Sequence, residues 1–113
     1  MAKFEKQNAE TAELFEEAIK FSECEKRKMF GYSVGFINGN MAAGVFADRI
    51  FFRVKRENQA EEKSNNKEIT DFEPVAGRKM KDYLELKGTR EHRDLIRAYI
   101  EKAIDITRQL PPK

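Results

Sequence analysis

The sequence predicts an α+β fold: an antiparallel sheet of about four to five strands, with the N- and C-terminal helices packed on one face. Three observations predict it. Segments with apolar residues at helical spacing stand at both ends of the chain, and the stretch between them switches to strand-like alternation. Asn38-Gly39 lies between two such stretches, and a type I′ hairpin turn needs two residues tolerant of positive φ. Hairpin-linked strands are antiparallel, and helices on one face of their sheet bury the apolar stripes together.

Ala9 to Phe21 reads as the first helix. Ala12, Phe15, Ala18 and Ile19 form its stripe with Leu14 beside it, and Asn8 is the expected N-cap. Lys26-Arg27-Lys28 follows as a basic cluster. Tyr32 to Ile37 alternates as a strand, Asn40 to Phe46 is the return strand, and Ile50 to Val54 is a third. Residues 55–67 are almost free of apolar side chains and read as an exposed polar loop, with at most one helical turn near Asn58 to Lys63. Ile69 to Val75 holds a short strand containing Phe72, and Pro74 favours an edge. Met80 to Leu86 is another strand, with Met80, Leu84 and Leu86 on one face and Tyr83 and Glu85 on the other. Thr89 is the expected cap of the last helix, whose stripe runs through Leu95, Ile96, Tyr99, Ile100, Ala103, Ile104 and Thr107 before Pro111-Pro112 ends it.

The 113 residues suffice for one core, so residues 1–113 read as a single domain. Lys and Arg total 22 and Asp and Glu total 20, a smaller excess than a dedicated nucleic-acid binder shows. One Cys and one His exclude an internal disulfide and a Cys/His zinc site, which needs about four ligands. Met1 to Asn8 lacks a signal-peptide core, and no apolar run approaches the ~20 residues that span a membrane. These features predict a cytoplasmic protein.

No residue pattern marks a catalytic centre. His92 lies among Arg90, Glu91, Arg93 and Asp94 near a helix start, which favours a surface role over acid–base work. Cys24 sits between Glu23 and Glu25, whose charge disfavours a thiolate. The glycines form no phosphate-binding motif. Basic residues cluster at Lys26-Arg27-Lys28, at Arg53, Lys55 and Arg56, and at Arg78, Lys79 and Lys81; solvated strand ends are the ordinary reading of such clusters.

Met29-Phe30-Gly31, Phe36, Asn38-Gly39-Asn40-Met41, Gly44-Val45 and Arg53-Val54 together resemble the N-terminal domain of the TfoX/Sxy family. Asp71-Phe72, Gly77-Arg78, Met80-Lys81, Tyr83, Leu95, Ala103 and the tail Leu110-Pro111-Pro112-Lys113 continue the resemblance in order, so it covers nearly the whole chain. It implies an α+β domain with an antiparallel sheet. The family's founding members regulate natural competence in bacteria with a cyclic-AMP-responsive activator and carry a second domain. This chain ends at the tail and is identified as the stand-alone short form. One departure is the polar stretch Asn58 to Lys67, where relatives place a short helix with apolar anchors.

The leading functional expectation is a non-enzymatic regulatory or protein-interaction domain with an unidentified protein partner and no cofactor or metal. Its candidate surface is Asn38, Gly39 and Asn40 together with Gly77, Arg78, Lys79 and Lys81, although turn chemistry alone also accounts for these residues. The first alternative is a nucleic-acid-binding accessory protein using Arg53, Lys55 and Arg56 with the other basic clusters. The second is a small-molecule-binding or enzymatic domain with a helix–sheet pocket lined by Tyr32, Tyr83 or Tyr99. Phe51 and Tyr83, opposite the main stripes, suggest a homo-oligomer through the uncovered face.

Overall fold

Asn8 opens the first helix as the sequence predicts. In the computed structural model, which describes residues 6–113, its Oδ1 accepts from the Thr11 amide at 3.1 Å. Of the stretch Met1 to Asn8, expected to lack a signal-peptide core, residues 1–5 lie outside the described residues. Helix α1 (Ala9–Ile19) buries Thr11, Leu14, Phe15 and Ile19. It stops short of Phe21 because the Ser22 amide and hydroxyl both donate to the Ile19 carbonyl, at 3.0 and 2.7 Å.

Strands β1 (Glu25–Met29), β2 (Tyr32–Ile37), β3 (Asn40–Phe46) and β4 (Arg49–Arg53) form an antiparallel meander. Asn38 and Gly39 both take positive φ, 52° and 83°, so the hairpin turn is the expected one. A bulge opposite Gly35 and Phe36 leaves Ala42 without a ladder partner, and both Ala42 and Ala43 join the main core. After helix α2 (Arg56–Asn65), strands β5 (Thr70–Asp71) and β6 (Tyr83–Lys87) complete one sheet in the order β1-β2-β3-β4-β6-β5. A 3-10 turn over Arg90–His92 leads into helix α3 (Arg93–Arg108).

The α+β class and the placement of the terminal helices on one face agree with expectation; the strand count does not. Among the described residues six strands form rather than four to five. The extra one is β1, the segment read as a basic cluster. All five of its residues are exposed, so it carries no apolar alternation and is held by its ladder to β2. Charges along such an edge also hinder pairing with other chains.

Residues 55–67 are polar and mostly exposed, but Arg56–Asn65 within them is a helix and not a loop. Arg, Glu, Gln, Ala and Lys are good helix formers, and polar side chains supply the missing anchors. Gln59 Nε2 donates to the Val54 and Lys81 carbonyls at 2.9 and 2.7 Å. The Tyr99 hydroxyl donates to Glu62 Oε1 at 2.8 Å and accepts from Asn66 Nδ2 at 3.2 Å. Thr89 makes no side-chain capping bond; its hydroxyl lies 3.3 Å from His92 Nδ1 instead.

Two apolar layers result. On the inner face, Ile50, Phe52, Leu84 and Leu86 meet Phe15 of α1 and Ile96 and Ile100 of α3, all buried. Each such side chain contributes about 1.5–3 kcal/mol on burial. On the outer face, Val34, Phe51, Phe72 and Tyr83 form a second cluster, with Phe36, Met41 and Phe46 packed against it.

Gly44 makes the outer layer fit. A Cβ there would stand 2.6 Å from Phe51 Cζ. Gly44→Ala should therefore displace the Phe51 ring and cost about 1–3 kcal/mol. A lower urea midpoint at unchanged m-value would show it; an unchanged midpoint would contradict this account.

Candidate interaction groove

The outer face is built by alternation along β4. Ile50 and Phe52 point to the helices, so Phe51 points the other way. Residues 72–80 fold back across it as a strap. Phe72 stacks on Phe51 with ring centres 4.4 Å apart and planes 9° apart, and meets Phe46 edge-on at 5.7 Å. The strap turns at Gly77, where φ is 81° and the Arg78 amide donates to the Val75 carbonyl at 2.8 Å. It returns through a bond from the Met80 amide to the Phe72 carbonyl at 2.9 Å.

Between the strap and the β1–β2 turn runs a groove of about 270 Å³. Met29, Phe30, Tyr32, Met41, Val75 and Met80 are among its walls and floor. Five large hydrophobic side chains are exposed among the described residues, and four border this groove: Phe30 at 77%, Val75 at 49%, Met29 at 39% and Met80 at 37%. The fifth, Phe21, stands apart at the end of α1.

The polar groups beside the aromatic cluster are satisfied by one another. Arg49 Nη1 donates to both oxygens of the buried Glu85 carboxylate, at 3.0 and 2.8 Å. Burial pushes the Glu85 pKa up, and Arg49 opposes that shift. Arg53 donates to the Met41 carbonyl from Nε and Nη2, at 3.1 and 2.9 Å, and to the Tyr83 hydroxyl at 2.7 Å. Burial raises the Tyr83 pKa as well. Asp71 accepts from Lys63 of α2 at 2.8 Å and from Lys79 of the strap at 2.9 Å. Those two ammonium groups, Lys63 foremost, hold its carboxyl below the ordinary value.

The structure does not join the two halves of the expected interaction surface. Asn38, Gly39 and Asn40 sit against the C-terminal tail: the Lys113 amide donates to the Asn38 carbonyl at 2.9 Å, and Asn40 Nδ2 to the Pro111 carbonyl at 3.0 Å. Gly77, Arg78, Lys79 and Lys81 are exposed on and beside the strap. Of the basic candidates, Arg53 is tied to β3, Arg56 pairs with Asp82 at 2.9 Å, and Lys55 is exposed.

Phe51 and Tyr83, expected to be available for self-association, are 4% and 6% exposed beneath Phe72. Met80, expected inside with Leu84 and Leu86, instead lines the outer groove, because β6 begins only at Tyr83. Tyr32 and Tyr83 also lie on the outer side, while Tyr99 is buried with its ring 4.9 Å from Phe52. An open depression of about 290 Å³ beside Tyr99 holds Glu62 and Lys102, which pair at 3.6 Å. A wider one of about 590 Å³ near Cys24 holds the Lys26–Glu16 pair at 2.7 Å, and burial pushes the Cys24 thiol up. No group of His, Cys, Asp or Glu among the described residues could hold a metal ion, and no described helix is long and apolar enough to cross a membrane.

Sequence reasoning missed the groove. Its signal was present: Met29, Phe30 and Val75 are large apolar residues outside every inward stripe. The family model for the TfoX N-terminal domain matches residues 6–106. No curated protein and no solved structure matches the chain.

Phe72→Ala should remove the pin that holds the strap, at a cost of about 3–5 kcal/mol, and should speed amide exchange from Val75 to Lys81 more than in α3. Uniform acceleration along the chain would count against a pinned strap. Asp71 adds a pH dependence. Its folded-state pKa is depressed, so its ion pairs contribute above the unfolded carboxylate value and are lost as pH falls through the lower folded value. The Met80 methyl NMR signal should therefore shift on acidification only below the ordinary carboxylate range, and Asp71→Asn should abolish that step.

Proposed function

Because the chain belongs to the TfoX N-terminal domain family, we propose that it is a non-enzymatic regulatory domain that binds another protein through the outer groove. One observation carries this reading: among the described residues, four of the five exposed large hydrophobics border a single groove. Contiguous apolar surface of this kind marks interaction sites, and interface cores are rich in aromatic residues and Met. Met side chains adapt their shape to a partner at little cost.

The surrounding chemistry supports binding rather than turnover. Glu85 of β6, whose pKa burial raises, and Asp71 of β5, whose pKa its lysines lower, are engaged by Arg49, Lys63 and Lys79 within the fold. The family resemblance supports a regulatory role of the competence-regulator kind, and the lone half-buried Cys24 suits a reducing cytoplasm. Pairing also weakens the case for nucleic acid, since Arg53 and Arg56 are occupied.

The test is capture of partners from the native host by the full chain and by Val75→Asp/Met80→Asp, both of which replace exposed side chains. The variant should keep its circular dichroism and lose at least about tenfold in partner recovery, or about 1.4 kcal/mol of binding. Equal recovery by both proteins would refute the groove as the binding surface. Salt-sensitive retention on nucleic acid by both would favour the other reading.

A further inference from the structure

We propose that the tip of the β2–β3 hairpin is a binding site for an extended, proline-bearing peptide segment, and that the chain's own residues 110–113 fill it as a detachable latch. None of the residues of this contact lines the outer groove, so the site is independent of the docking reading.

α3 ends at Arg108, and the Gln109 and Leu110 amides still reach back to the Ile106 and Thr107 carbonyls, at 3.2 and 3.1 Å. Pro111 and Pro112 have no N–H to offer and hold φ at about −65°. The next donor along the chain is the Lys113 amide, which donates to the Asn38 carbonyl at 2.9 Å. Asn40 Nδ2 donates to the Pro111 carbonyl at 3.0 Å. The tip therefore reads one acceptor and one donor on the main chain of an extended segment.

Two features of the tip serve this contact. Asn40 is 6% exposed, so its amide needs a partner within the fold, and the tail carbonyl is one. Gly39 lies directly against the tail: a Cβ there would stand 3.0 Å from both the Cβ and the carbonyl oxygen of Lys113. The hairpin turn needs a residue that accepts a φ of 83°, and the tail uses the space that this glycine leaves.

The tail is seated lightly. Pro111, Pro112 and Lys113 are exposed, and Leu110 is half-buried. Segments with few buried contacts and exposed hydrogen bonds open at low free energy, and opening lets water take the place of the tail at Asn40. The prolines favour the seated state, because they have little backbone freedom to lose. A tethered segment competes at an effective concentration of roughly millimolar, so a segment of the same chemistry enters from outside only when the tail has left.

The test compares the full chain with a chain shortened to end at Gln109, each titrated with a blocked Leu-Pro-Pro-Lys peptide and followed by NMR of the Asn40 side-chain amide. The shortened chain should keep its circular dichroism, shift its Asn40 signal, and regain the full-chain signal as the peptide is added at roughly millimolar concentration. The full chain should bind the peptide at least about tenfold more weakly, because its site is taken. A Leu-Gly-Gly-Lys peptide should bind the shortened chain about fivefold more weakly, since two more residues lose freedom on seating. In the full chain, Asn40→Ala should speed solvent exchange of the Lys113 amide by about fivefold and leave the α3 amides unchanged. Unfolding of the shortened chain would make the tail a structural part and overturn the latch. Equal peptide shifts in both chains, an Asn40 signal indifferent to truncation and to peptide, or Lys113 exchange untouched by Asn40→Ala would overturn it too. Equal binding of the two peptides would refute the proline-bearing class.

Discussion

The face-to-face contact of Phe72 with Phe51 closes the second side of a sheet that has apolar residues on both sides. α1 and α3 cover the inner face only. Among the described residues no helix covers the outer face, and Phe72 is what stacks on Phe51 there. An offset aromatic pair contributes about 0.5–1.5 kcal/mol beyond its area, and this one also sets positions. It needs Gly44 beneath the Phe51 ring. It brings Tyr83 edge-on at 5.6 Å, and the Tyr83 hydroxyl then meets Arg53 and the Met41 carbonyl. The strap that follows Phe72 becomes one wall of the groove.

Polar contacts hold the parts that have no apolar face. α2 buries no residue, and a helix of its length is marginal in water by itself. Gln59, Glu62, Lys63 and Asn66 bind it to a strand end, to α3, to β5 and to the Tyr99 hydroxyl. Exposed ion pairs contribute little singly, about 0–1 kcal/mol each, so their role is to choose where α2 rests. Asp71 has the same role between α2 and the strap, because one carboxylate serves a lysine from each. The C-terminal tail likewise rests on the hairpin tip through backbone and amide bonds.

These contacts explain which features could be read from the sequence. The caps, stripes and turns that depend on near neighbours were legible: Asn8 before α1, Asn38-Gly39 between β2 and β3, and the run from Ile96 to Thr107 in α3. β1 was not, because Lys26, Arg27 and Lys28 owe their strand to a ladder with β2 and not to any pattern of their own. α2 was not, because its anchors are hydrogen bonds to residues far along the chain, such as Lys81 and Tyr99. The signatures Asn38-Gly39-Asn40 and Pro111-Pro112-Lys113 could be recognised, but their contact with each other could not. Met80 was assigned to the wrong face because the strand was begun three residues early, before the turn in which the Tyr83 amide reaches the Met80 carbonyl. The groove depended on that same assignment.

The groove remains because the strap covers only part of the outer face. Phe72 fills the space above Phe51 and Tyr83, over β4 and β6, and the slot lies between the strap and the Met29-Phe30 turn. Beyond Phe72 the strap is held by a short turn, two backbone bonds and the Lys79 ion pair. A segment with few buried contacts and exposed hydrogen bonds opens at lower free energy than the core. Phe72 is buried whereas Val75 and Met80 are exposed, so the wall is freer to adjust than the buried floor on β2 and β3. Met29, Met41 and Met80 extend that adaptability to the side chains, since an unbranched thioether repacks with little strain. A buried floor, a more adjustable wall and soft side chains suit a site whose ligand is a segment of another chain rather than a fixed small molecule.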